Sequence, residues 1–156
     1  MDLNALDALY REVVLDHHRH PRGNRRLERA DVEAAGQNPS CGDEVSLQLR
    51  LDGDRIADVA VCSQGCAIST ASGSMLAELI RGRTLAEARQ LADTFKGALH
   101  GDEAPTEIDL GDLEALTGVR KFPVRVKCAL LPWITLLDAV LARQDAVAAG
   151  GGKEPS

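Results

Sequence analysis

Alternating apolar and polar residues between positions 44 and 62 form the most regular pattern in the chain. From Glu44 to Leu51 every second residue is apolar, which is typical of a β-strand with one buried face. Asp52-Gly53 follows and favours a tight hairpin turn, because both residues tolerate positive φ. Ile56 to Cys62 then fits the return strand. The pattern predicts a β-hairpin over residues 44–62, with its buried face formed by Val45, Leu47, Leu49 and Leu51.

Apolar residues three and four positions apart predict helices in the rest of the chain. The helices are expected from Leu3 to about His18, from Cys66 to Ile80, from Thr84 through Phe95, and from about Ala129 to Ala146. Thr84 and Glu87 have the spacing of a capping box, which marks a helix start. Pro132 fits the last helix only within its first turn. One or two more helical turns are expected at Leu113 to Leu116.

Proline, glycine and clustered charge predict the irregular segments. Residues 17–29 are expected to form a basic loop, residues 30–36 an irregular stretch, and residues 97–110 a polar connection. Residues 120–128 should be extended, because Pro123 disfavours helix before it. The Gly-rich residues 148–156 have nothing to bury and are expected to be disordered. One domain is therefore expected over residues 1–147.

Composition narrows the classes of protein to be considered. At 156 residues and 44% hydrophobic, the chain is long enough for one domain with a core. Its net charge of −6 argues against nucleic-acid binding, which depends on clustered Lys and Arg. Neither a signal peptide nor an apolar run of ~20 residues is present, so we expect a cytoplasmic protein. In a reducing compartment, its four cysteines favour metal binding or thiol chemistry over disulfides.

Cysteine and carboxylate positions indicate a candidate metal site. Cys41 and Asp43 flank Gly42, which allows the backbone to bend so that both side chains face one point. Cys66 is expected at a helix N-terminus, where the helix dipole stabilises a thiolate, and Cys128 at the start of the last helix. Three thiolates and one carboxylate suit tetrahedral Zn(II), although the thiolates could equally hold an iron–sulfur cluster.

Other residues of ligand type have simpler interpretations. Cys62 forms a Cys-x-x-x-Cys pair with Cys66, but its place in the return strand favours a structural role. His17, His18 and His20 lie among arginines that would oppose a bound cation. We interpret the basic segment 17–29 as solvated charge, with docking of a partner protein as the alternative.

Three motifs in the same order closely resemble the U-type iron–sulfur cluster assembly family, the IscU/SufU or NifU N-terminal-like proteins. They are Asn-Pro-Ser-Cys-Gly-Asp at 38–43, Gly-Cys-Ala-Ile-Ser at 65–69 and Lys-Cys-Ala-Leu-Leu-Pro-Trp at 127–133. The opening helix, from Leu9 through His17, Pro21 and Arg22, is also similar. With the elements above, the resemblance implies an α+β fold, in which a small antiparallel sheet of about three strands packs against helices. The metal site is expected at one end.

Two features place the chain nearer the SufU branch than the IscU branch. Lys127 stands where the IscU branch has a histidine, and an ammonium has no lone pair for a metal. Roughly twenty additional residues, around 110–125, precede the last cysteine, as in SufU-type chains. The resemblance therefore implies zinc held by Cys41, Asp43, Cys66 and Cys128.

The implied function is that of a sulfurtransferase-like acceptor, which takes persulfide sulfur from a SufS-type cysteine desulfurase. Downstream iron–sulfur assembly proteins would receive the sulfur. We expect Cys41 to be the accepting residue, released from zinc when the desulfurase supplies a replacement ligand. One alternative is a scaffold for a transient [2Fe-2S] cluster. Another is a structural zinc module that only mediates protein contacts.

Overall fold

The chain folds into a three-stranded antiparallel sheet packed against helices, in a computed structural model that describes residues 8–38, 42–101 and 110–150. Side chains are described from residue 11 to residue 143 within these ranges. The strands are β1 (Val32–Asn38), β2 (Asp43–Asp52) and β3 (Arg55–Gln64), in the order β1-β2-β3. The helices are α1 (Ala8–Arg19), α2 (Ala67–Ile80), α3 (Leu85–Leu99), a 3₁₀ helix (Gly111–Lys121) and α4 (Pro123–Gly150). The predicted α+β class is confirmed.

The predicted hairpin is confirmed as β2 and β3. Leu47 and Leu49 on its apolar face are at most 1% exposed, as the alternating pattern requires. The turn lies one residue later than predicted, because Asp52 still pairs with Arg55 and leaves Gly53 and Asp54 at the turn. Gly53 has a φ of 66°, which glycine adopts without strain.

The prediction of an irregular segment at 30–36 is wrong, because β1 begins at Val32 and pairs with β2 along its whole length. Its small residues give a weak periodic signal, and the strand depends on the hydrogen-bond ladder to β2. Gly36 lies where α4 crosses β1, and a Cβ there would come within 2.3 Å of Thr135 Oγ1. The glycine therefore allows the last helix to pack closely on the sheet.

Helix α2 begins and ends within one residue of its predicted positions, whereas α3 continues to Leu99, into the polar connection predicted from residue 97. Helix α2 is buried along most of its length and packs against α1, α4 and β3. The predicted capping box starts α3, where the Thr84 hydroxyl accepts the Glu87 N–H and Glu87 accepts the Thr84 N–H. The hydrogen bond from the Thr84 N–H is the main reason that the pKa of the Glu87 carboxyl lies below its usual value.

The extended segment predicted at 120–128 is wrong, because α4 already begins at Pro123. Proline fits the first helical position, where its fixed φ is favourable and no N–H is needed. Pro132 consequently lies inside the helix instead of in its first turn, and it has no N–H to donate to the Cys128 carbonyl. Cys128 therefore lies in the second turn of α4, not at a helix start.

The ends of the chain are only partly covered by the structure. Helix α1 is described from Ala8 and ends at Arg19, one residue beyond its predicted end, while the predicted start at Leu3 lies outside the described residues. At the other end, α4 continues to Gly150 although the predicted tail begins at Ala148, and residues 151–156 lie outside the described residues. The domain boundary stays a prediction. Among the described helices, none has both the length and the hydropathy of a membrane span.

Candidate metal centre

Three predicted ligands meet at one end of the sheet. One ligand atom each from Asp43, Cys66 and Cys128 lies within 4.8 Å of the other two. Asp43 begins β2, Cys66 precedes α2, and Cys128 lies in α4, so three distant parts of the chain contribute. Cys41 lies outside the described residues, but the chain enters and leaves this gap beside the site, since Asn38 pairs with Asp43.

Asp43 is the most constrained of the three residues. It is 1% exposed, and its Oδ1 accepts the backbone N–H of Cys66 at 2.9 Å. Gly65 has a φ of 143°, and a Cβ at that position would lie 2.0 Å from Asp43 Oδ1. Gly65 therefore supplies the predicted bend before α2 and also leaves the space that the carboxylate occupies.

Cys66 lies where it was predicted, at the N-cap of α2. Its side chain is half-buried and packs against the core, and it makes no capping hydrogen bond to the helix. The unpaired N–H groups of the first turn and the helix dipole favour negative charge at this position. The Cys66 sulfur is therefore placed to serve as an anionic ligand.

Cys128 approaches the site from the other side. It is fully buried, with its Sγ 3.7 Å from the Val124 carbonyl oxygen and 3.9 Å from Arg125 Nη1. Because residues three apart share a helix face, α4 brings the Arg125 guanidinium to the sulfur. Lys127, the direct neighbour of Cys128, is exposed. Of Arg125 and Lys127, the structure thus places Arg125 near the sulfur.

The donor atoms at this site fit a zinc ion. Asp43 Oδ2 is buried and has no hydrogen-bond partner in the described part of the chain, which is costly for a carboxylate without a cation nearby. One carboxylate oxygen of Asp43 lies within 4.8 Å of two thiols. Zn(II) accepts sulfur and oxygen ligands together and removes the thiol protons when it binds. Asp43, Cys66 and Cys128 would then supply three of its four protein ligands.

Cys62 lies apart from this group. It belongs to β3, where its thiol donates to the Arg25 carbonyl at 3.4 Å, and it is half-buried. The interpretation of Cys62 as a strand residue is confirmed.

His17 anchors a second polar cluster, which has a structural explanation. His17 lies in α1, as the helix predicted to about His18 requires, but it is fully buried, so the interpretation of segment 17–29 as solvated charge is wrong for this residue. Its Nδ1 lies 2.7 Å from Ser74 Oγ and its Nε2 lies 2.8 Å from Asp112 Oδ2. Arg22 donates its backbone N–H to the same hydroxyl at 2.8 Å. Both ring nitrogens are engaged, so His17 joins α1, α2 and the 3₁₀ helix.

Replacing His17 with alanine is expected to lower the free energy of unfolding by about 2–3 kcal/mol. The change removes two hydrogen bonds, leaves the buried Ser74 hydroxyl short of a partner and opens a cavity between helices. Urea denaturation monitored by circular dichroism measures the loss. His18→Ala is the matched control, because His18 is exposed and should change stability by less than about 0.5 kcal/mol. Equal stability of the two variants would contradict the structural role of His17.

Comparison with known proteins identifies the family. The model of the family described as NifU-like N terminal domain matches residues 9–129. This chain belongs to the NifU-like N-terminal domain family. The resemblance predicted from the three motifs is therefore confirmed.

Members of the NifU-like family similar to this chain include sulfurtransferases and scaffolds. The chain is 43% identical over 141 residues to the zinc-dependent sulfurtransferase SufU of Bacillus subtilis (strain 168). This match covers 90% of the present chain and 95% of SufU. It is also 43% identical over 141 residues to the iron–sulfur cluster assembly scaffold protein IscU of Streptococcus pyogenes serotype M1, covering 90% and 87% of the two chains.

A solved structure has the same NifU-like fold. A crystal structure from Fervidobacterium islandicum AW-1, of a candidate iron–sulfur cluster assembly scaffold protein for the SUF system, superposes with a TM-score of 0.79. The two chains are 38% identical, and the match covers 83% of this chain and 94% of the other. The sheet and helices described above are therefore those of the family.

Proposed function

We propose that this chain accepts sulfur from a SufS-type cysteine desulfurase on Cys41 and passes it to iron–sulfur cluster assembly proteins. Zinc would be held by Cys41, Asp43, Cys66 and Cys128. The observation that carries the proposal is the buried carboxylate of Asp43, which has one oxygen without a hydrogen-bond partner among the described residues and lies beside two thiols. The similarity to a protein named as a zinc-dependent sulfurtransferase supports it.

The chemistry of this transfer is a thiol exchange. When bound, zinc supplies a redox-silent charge that keeps cysteine ligands deprotonated. The Cys41 thiolate attacks the outer sulfur of the desulfurase persulfide and forms a new S–S bond. The old S–S bond breaks, and the desulfurase cysteine leaves as a thiolate. The electrons balance within the exchange, so no oxidant is needed.

The two described thiols of the site are less suited to this attack. Cys128 is fully buried and lies inside α4, and Cys66 is half-buried at the start of α2. Cys41 instead follows β1 and precedes Gly42, whose φ of 71° belongs to a turn. The motif predicts that Cys41 lies in a turn, and a residue in a turn reaches a partner with less rearrangement than a residue held in a helix.

A scaffold for a transient [2Fe-2S] cluster is the second candidate. It is favoured by the equal identity to a protein named as an IscU scaffold. Lys127 argues against a stable cluster, because the scaffold branch has a histidine at this position and an ammonium has no lone pair. Absorption spectra of protein purified without oxygen distinguish the two candidates, since zinc alone is colourless.

A desulfurase assay tests the proposal directly. Cysteine turnover by a SufS-type desulfurase should rise about tenfold or more when this chain is added, and the rise should disappear after zinc is removed with a chelator and return with zinc. Mass spectrometry should find one added sulfur on Cys41. Turnover that does not respond to the chain would contradict the proposal and favour a structural zinc module. The cytoplasmic location stays a prediction.

A further inference from the structure

An open groove of about 600 Å³ runs beside the candidate metal centre. It lies between the end of α3, the end of β1 and the first three turns of α4. Its volume is within the range of protein sites that bury a ligand or several partner side chains. The residues that line it are Gln37, Asn38, Lys96, Leu99, His100, Arg120, Pro123, Val126, Lys127, Leu130, Leu131 and Ile134.

The floor of the groove is apolar. Leu130, Leu131 and Ile134 share one face of α4 with Lys127, at the spacing of three and four residues that makes a continuous helical stripe. Leu130 and Leu131 are nearly buried, whereas Ile134 is 39% exposed and remains open to a partner. A stripe about two turns long is the surface that a short amphipathic segment recognises.

The rim of the groove is positively charged. Lys96, Arg120 and Lys127 are exposed, and in the described ranges none of them has a carboxylate within ion-pair distance. His100 lies beside them, and no Asp or Glu is among the described lining residues. The whole chain carries a net charge of −6, so this local excess of cations is opposite to the overall balance. Such a surface favours an acidic partner segment.

Two walls of the groove are directly joined to the candidate metal centre. Lys127 precedes Cys128, and Asn38 is the sheet partner of Asp43. Asn38 is also 9% exposed, and its Nδ2 has no hydrogen-bond partner among the described residues. A segment lying in the groove is therefore brought next to the ligands.

We propose that this groove is the docking site for an acidic amphipathic segment of the sulfur-donating desulfurase. The inference rests on the proposed function and adds the surface and the charge by which the partner is recognised. Apolar side chains of the segment would cover Ile134, and its carboxylates would pair with Lys96, Arg120 and Lys127. Docking there holds the donor's persulfide beside the metal centre.

The test compares charge reversal in the groove with the same reversal elsewhere. Lys96→Glu/Arg120→Glu and Ile134→Glu should each raise the concentration of chain that half-saturates desulfurase stimulation by about tenfold or more, with the maximal rate unchanged. The double variant should also lose most of the salt dependence of binding. The matched control is Arg26→Glu/Arg29→Glu, in the basic segment 17–29, where both arginines are exposed. Zinc content and melting temperature confirm that each variant is folded.

The outcomes separate this inference from the proposed function. Unchanged half-saturation in both groove variants overturns the docking site, and a rise confined to the control assigns docking to segment 17–29. If the chain does not stimulate desulfurase turnover, biolayer interferometry with the same desulfurase measures binding directly. If the wild-type chain binds without stimulating and the groove variants do not bind, the docking site stands and the sulfur-acceptor function fails. If the wild-type chain does not bind at all, both are wrong.

Discussion

Gly65→Ala is expected to reduce zinc affinity by about tenfold to a hundredfold and to destabilise the fold by about 2–4 kcal/mol. The new Cβ would lie 2.0 Å from Asp43 Oδ1 and 2.8 Å from its carboxyl carbon, so the carboxylate must leave its position. The φ of 143° adds strain, because side-chain-bearing residues rarely adopt it. Competition with a chromophoric zinc chelator measures the affinity, and urea denaturation with excess chelator measures the metal-free stability.

Gly53→Ala is the matched control, because it introduces backbone strain at a positive φ without a steric clash. Gly53 also has a positive φ, but a methyl group at that position would meet nothing within 4 Å, and it sits in the β2–β3 turn at the far end of the hairpin. This variant should lose about 1 kcal/mol of stability and keep wild-type zinc affinity. If Gly65→Ala bound zinc as tightly as the wild-type chain, Asp43 would not be a ligand in the position described.

Cys41→Ser is expected to abolish sulfur acceptance while leaving a folded chain. Serine is a far weaker nucleophile than a thiolate, so desulfurase turnover should fall to the rate without added chain. The described core residues and the three described site residues Asp43, Cys66 and Cys128 are all retained in this variant. Turnover, sulfur transfer detected by mass spectrometry, and the melting temperature are the three measurements.

Cys62→Ser is the matched control for the Cys41 variant. Cys62 lies in β3, and its thiol donates to the backbone carbonyl of Arg25. A serine hydroxyl can donate the same hydrogen bond. Acceptance should therefore stay at the wild-type level. Persulfide formation that persists in Cys41→Ser, but is lost in Cys66→Ala and Cys128→Ala, would assign the accepting role to another cysteine.

Local sequence signals were sufficient for the elements that they control. Alternation predicted β2 and β3, and the Thr84–Glu87 spacing predicted the start of α3. The start of α4 was misplaced because Pro123 has two interpretations: it disfavours helix before it and favours helix after it. Strand β1 was missed because its small side chains carry little periodic signal and its pairing with β2 is a tertiary contact.

The sequence predicted the residues of the candidate site, but not the neighbouring contacts that hold them in place. Residue type and the order of the three motifs pointed to Asp43, Cys66 and Cys128, and the fold brings their ligand atoms together. The space that Gly65 leaves for Asp43, and the approach of Arg125 to Cys128, depend on how distant elements pack. Neither contact has a local pattern by which the sequence alone could identify it. The groove beside α4 likewise depends on where α3 and β1 end.

The origin of the three candidate ligands in β2, α2 and α4 sets the point in synthesis at which the proposed metal site could be completed. A nascent chain exposes Asp43 and Cys66 to the solvent long before Cys128 has been added, because 61 residues separate the two cysteines. Full coordination therefore has to wait until α4 has emerged and packed onto the sheet. If zinc binds here as proposed, its presence would mark a chain whose α4 has packed onto the sheet, and a chain that stops before Cys128 would lack one of the ligands.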